Sequence, residues 1–77
     1  MRALSEPEKL NQKQIEILKF SAEGLTEKAL ALKLKISVNT IKYHKRKLYR
    51  VLKVNSITGA VIKAIKDEYI SINDINL

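Results

Sequence analysis

The chain has no cysteine and no tryptophan, and its 77 residues include one histidine, one proline, two glycines and one phenylalanine. Without cysteine there are no disulfides, no thiolate zinc sites and no thiol nucleophile. A single histidine removes the usual catalytic pairings and most metal sites, so no enzymatic activity, no cofactor and no metal are expected. So little glycine and proline excludes collagen-like and low-complexity chains. No apolar run approaches the roughly 20 residues that span a bilayer. The first nine residues lack the apolar segment of a secretory signal. These absences lead us to expect a soluble cytoplasmic protein, either complete as it stands or one domain of a longer chain.

What is present is a globular mixture, 45% hydrophobic and 30% charged. At this length roughly 60% of the unfolded surface is buried on folding, enough for one small core and no deep cleft. The formal charge is +7. A basic excess this large in a short chain points first to nucleic acid and second to an anionic membrane surface.

Four helix starts punctuate the sequence. Asn11, Thr26, Ser37 and Ser56 are N-cap residue types, each directly before an apolar pattern of helical period. Around the first three, the residue before the cap can pack on the fourth helical residue: Leu10 on Ile15, Leu25 on Leu30, Ile36 on Ile41. Asn11 and Gln14 also have capping-box spacing. The spacing predicts helices over 12–22, 27–34, 38–53 and 57–68, hence an all-α fold. The inner stripes are Ile15, Leu18 and Ala22 in the first helix, and Leu30 and Leu34 in the second. In the third they are Ile41, Leu48 and Leu52, with His44 on the same face. Gly24 is placed to end the first helix. Residues 1–9 read as an N-terminal extension, 10–70 as the domain and 71–77 as an extended or frayed tail, with a weak strand-like alternation in Ile70, Ile72 and Ile75.

The charge is local. Residues 26–53 hold nine lysines and arginines against one acid, Glu27, a net of +8 that leaves −1 for the remainder. A short helix, a turn of about three residues and a longer basic helix form the helix-turn-helix pattern. The major groove of B-DNA admits one α-helix and displays a readable set of donors and acceptors. Lys42, Tyr43 and Arg46 lie opposite or beside the apolar stripe, and Asn39 is outward in the first turn; these four are the candidate base-reading residues. Arg46 and Lys42 suit guanine, Asn39 suits adenine, and Tyr43 suits a thymine methyl or a phosphate. Lys28, Thr40, Lys45, Lys47 and Arg50, with the caps Thr26, Ser37 and Ser56, are the candidate phosphate contacts, which position the protein without reading sequence. His44 reads as a residue at a packing edge, not as a ligand or base, and Tyr49 as packing.

In the fourth helix, Ile57, Ala60, Val61 and Ala64 form a stripe suited to the core. Thr58, Ile62, Ile65 and Tyr69 form a second stripe, either a wider core seam or, the reading adopted, a homodimer face. A dimer would set two third helices on one face of DNA roughly 34 Å apart.

Residues 10–70 also resemble the LuxR/GerE-type helix-turn-helix of bacterial transcription regulators. The resemblance is carried by Leu10, Asn11, Glu16, Ile17 and Leu18, then by Gly24, Leu25, Thr26 and Lys28. It continues through Ala31 and Leu34 and a central run of Ile36, Ser37, Thr40, Ile41, Lys42 and His44. Tyr49, Arg50, Leu52, Val54 and Ser56 follow, with Ala60 and Val61 beyond. It implies four helices, with the third reading the major groove through Lys42, Tyr43 and Arg46 and the fourth forming a dimer contact. The chain departs from the family pattern at Lys35 and Lys53, where glycine is usual. It departs also at Gln14 and Ala29, usual acids, and at Ile57, a usual arginine whose loss removes one phosphate contact. These residues contain no receiver or sensing domain, so the resemblance is to stand-alone members, regulated by expression level or by a partner protein. The function expected is sequence-specific binding of double-stranded DNA in transcription regulation, with RNA polymerase or a regulatory protein as further partner. The rival readings are a promoter-binding module like sigma region 4 and a protein-interaction adaptor or anti-repressor of the same fold. A membrane-surface role is disfavoured because the core needs the third helix's apolar face.

Overall fold

The computed structural model describes residues 9–77. Its four helices are α1 (Gln12–Ala22), α2 (Glu27–Leu34), α3 (Val38–Leu52) and α4 (Ile57–Lys66), followed by a 3-10 turn at Ile72–Asp74. Among the described residues there is no strand, so the weak alternation after Ile70 does not produce one. Among the described residues no helix is long and apolar enough to cross a membrane.

Every α-helix begins as the cap residues dictate. The side chains of Asn11, Thr26, Ser37 and Ser56 accept hydrogen bonds from the backbone N–H groups of Gln14, Ala29, Thr40 and Gly59. Each cap satisfies one of the donors a helix start leaves without a partner. Asn11 and Gln14 complete the capping box, with Gln14 Oε1 accepting from the Asn11 N–H at 3.0 Å.

The helix ends share one device. The N–H of Leu25, Ile36, Val54 and Tyr69 each reaches the carbonyl five residues back, on Phe20, Ala31, Tyr49 and Ala64. This bond requires the residue before it to turn left-handed. Gly24 does so at φ 98°, Lys35 at 60°, Lys53 at 59° and Glu68 at 67°. Each closing residue is apolar or aromatic and half-buried against the core, the contact that accompanies such turns. This is why α3 stops at Leu52 and α4 at Lys66, short of the expected 53 and 68.

α1 packs against the three other helices, α2 against α3, and α3 against α4. Ile17, Leu18, Leu30, Ile41 and Leu48 are fully enclosed where they meet, and Ala60 and Ala64 let α4 approach closely. Each large side chain removed from water contributes about 1.5–3 kcal/mol. Ile17 joins Leu18 at the centre of the α1 face, while Ile15 and Ala22 are only half-buried. With partners on three sides, α1 buries a wider arc than one stripe.

The tail is anchored along part of its length, with extended backbone at Ser71 and Ile75 on either side of the 3-10 turn and Leu77 exposed. Ile70 is buried and Ile75 packs on the core. The Asn76 N–H donates to the Glu23 carboxylate at 2.9 Å, tying the tail to the end of α1.

Candidate nucleic-acid interface

α3 is strongly two-sided. Ile41, Leu48 and Leu52 hold one face in the core, and Asn39, Lys42, Tyr43, Arg46 and Arg50 are exposed. At about 100° per residue, Asn39, Tyr43, Arg46 and Arg50 fall within a sector of about 60° opposite the buried stripe, with Lys42 on its α2 side. The four candidate base-reading residues therefore share one solvent face over residues 39–46 of α3.

The start of α3 is ordered by hydroxyls. Ser37 Oγ accepts from the Thr40 N–H at 3.0 Å and lies 2.9 Å from Thr40 Oγ1. Thr26 and Ser56 likewise use an oxygen lone pair as caps, which leaves each hydroxyl hydrogen free to donate. Lys28 is exposed on the first turn of α2.

Two candidate phosphate contacts are held by neighbours. Lys45 Nζ sits 3.2 Å from Glu27 Oε2, with only 15% of its side chain exposed. The one acid of the basic segment thus braces α2 against α3. Tyr49, next to it, has its phenol pushed above the usual range by burial and then by the Glu27 charge. Lys47 lies on the other side of α3, its ammonium 5.6 Å from the centre of the Tyr43 ring. Tyr43, 49% exposed, also meets His44 edge-on at 5.6 Å.

His44 fastens α3 to α1. Gln14 is buried, and because its oxygen is engaged at Asn11, its amide nitrogen faces His44 Nδ1 at 3.4 Å. Nδ1 therefore accepts, and the neutral ring carries its proton on Nε2. Burial, then the charges of Lys13 and Lys47, pull the imidazole below its ordinary value. Lys9 and Lys47 line one recess beside these residues, with Asn11, Gln14 and Val51. The capping-box spacing announces Gln14 as an N-terminal residue of α1. Its reach to His44, 30 residues on, depends on how two helices cross and leaves no local signal.

The second stripe of α4 divides. Thr58, Ile62 and Ile65 line an apolar groove of about 320 Å³ with Ile57, Val61, Ile72, Ile75 and Leu77. Ile62 is 62% exposed. Tyr69 faces a neighbouring recess and serves as the closing residue of α4's terminal turn.

Residues 8–64 match the model of the family described as bacterial regulatory proteins, luxR family. The HTH-type transcriptional regulator AlkS of Pseudomonas putida is 40% identical over 55 residues, 71% of this chain and 6% of that protein. Response regulator protein TodT of Pseudomonas putida strain F1 is 39% identical over 54 residues, 70% of this chain and 24% of TodT. Transcriptional regulatory protein YdfI of Bacillus subtilis is 35% identical over 65 residues, 84% of this chain and 30% of YdfI. The chain thus spans under a third of the length of each. A solved structure of response regulator ChrA, from a heme-sensing two-component system, superposes with a TM-score of 0.81 at 37% identity. The match covers 87% of this chain and 34% of that one. Four capped helices, the exposed basic face of α3 and these matches together establish that the chain belongs to the LuxR family of bacterial regulatory proteins, as its helix-turn-helix DNA-binding domain.

Proposed function

We propose that the protein regulates transcription by binding double-stranded DNA sequence-specifically, with α3 in the major groove. The observation that carries this is the single exposed face of α3 bearing Asn39, Lys42, Tyr43 and Arg46. Arg46 and Lys42 donate to guanine O6 and N7, Asn39 pairs with adenine, and Tyr43 contacts a thymine methyl. Lys28, Thr40, Lys47 and Arg50, with the hydroxyls of Thr26, Ser37 and Ser56, bind phosphates; Lys45 does so only by loosening its hold on Glu27. The protein acts as a homodimer through the groove of α4, whose apolar wall of Ile57, Val61, Ile62 and Ile65 is continued by the tail. RNA polymerase or a regulatory protein is the further partner, and the cytoplasm the compartment.

Selection of bound duplexes from a random pool tests this reading. The expected product is an inverted repeat with half-sites roughly one helical turn apart. Arg46→Ala relaxes the choice at one base pair per half-site and costs about 1–3 kcal/mol there. A pool that yields no shared sequence contradicts the reading.

A further inference from the structure

Lysines from both helices stand where the start of α1 meets the middle of α3. Lys9 and Lys47 line the recess between the start of α1 and the middle of α3. Lys13 stands in the first turn of α1, near enough to His44 for its charge, with that of Lys47, to act on the ring. Lys9 and Lys13, at the start of α1, and Lys47, on α3, thus lie along the same edge of the molecule. The first turn of α1 holds no acid, although the backbone dipole favours anions at that end and disfavours cations. Cations at the positive end of a helix do not help to hold it, and they suit an incoming anion.

The position on the molecule identifies the anion. The α2 side of α3 presents Lys28 and Lys42, while Lys45 is held on Glu27. The lysine recess flanks the opposite side, beyond Tyr43 and Lys47. A helix lying in the major groove has a phosphodiester strand on each rim, and residues on the α2 side reach only one of them. We propose that Lys9 and Lys13, together with Lys47, form a second phosphodiester-binding shoulder that grips the strand on the rim away from α2. The shoulder rests on the reading that α3 enters the groove. It carries no base information, because it meets only the backbone.

Salt dependence tests it. Each phosphate neutralised contributes about 0.9 to the slope of log affinity against log salt concentration. Titration of the chain with a random-sequence duplex across salt concentrations is expected to show Lys13→Ala flattening the slope by about 0.9, and Lys9→Ala with Lys13→Ala by about 1.8. Ranking among duplexes should stay unchanged, and the paired arginine variants should keep the original slope. Lys19→Ala, the same charge lost at the other end of α1, should leave the slope alone. An unchanged slope in the double variant, or an equal effect from Lys19→Ala, overturns the shoulder while leaving the α3 reading intact. Absence of any duplex binding by the unaltered chain overturns both.

Discussion

Lys35 and Lys53 occupy left-handed backbone positions, at φ 60° and 59°, where a side chain with a Cβ costs roughly 1–2 kcal/mol relative to the right-handed region. Gly24 fills the equivalent place after α1 without that cost. Lys35→Gly is therefore expected to raise the unfolding free energy by about 1 kcal/mol, less what glycine adds to the entropy of the unfolded chain; urea denaturation measures it, and a fall in stability would contradict the strain argument. His44 gives the second prediction at this scale. Its folded-state pKa is lowered, by burial first and then by Lys13 and Lys47. The unfolded chain thus takes up its proton at higher pH than the folded one, and stability is lost as pH falls through the unfolded value toward the folded one. As the chain holds one histidine, the midpoint of denaturation should drop as pH falls through the ordinary histidine value of about 6.5. His44→Gln should flatten that slope. The family pattern, with glycine usual at both positions, marks Lys35 and Lys53 as unusual, but the His44 shift, set first by burial and then by lysines from two helices, has no local signal.

At the scale of the element, helix starts were legible because a cap is a local contract between one side chain and a backbone N–H three residues on. Thr26, Ser37 and Ser56 each fulfil it. Helix ends and the tail were less so. The tail's course depends on Asn76 meeting Glu23, 53 residues away in sequence, and no periodicity encodes such a pairing. The α4 stripe shows the same limit: period placed Tyr69 with Ile62, but the terminal turn draws Tyr69 inward, while Ile62 stays exposed. The dimer reading accordingly rests on Ile62 and its groove neighbours. Ile62→Asp should yield monomers in sedimentation with helicity unchanged, because the side chain supports no core contact that folding needs. An unaltered mass would remove α4 as the dimer face.

For the whole molecule, the division of labour is electrostatic. The +8 of residues 26–53 is set against a remainder of −1, and the fold leaves Lys28, Lys42, Arg46 and Arg50 of that segment exposed while its apolar residues close the core. Charge segregation was legible in the sequence; which charges stay available was not, since Glu27 engages Lys45 only across the α2–α3 contact. The account predicts that charge brings the protein to any duplex and that the α3 face chooses among them. Competitive titration of a selected duplex against random duplexes, at about 0.15 M salt, tests this most directly. The selected duplex should bind at least about a thousandfold more tightly, with Arg46→Ala eroding that preference and Lys28→Ala weakening all duplexes alike. Equal affinity for every duplex, or no binding to any, would contradict it.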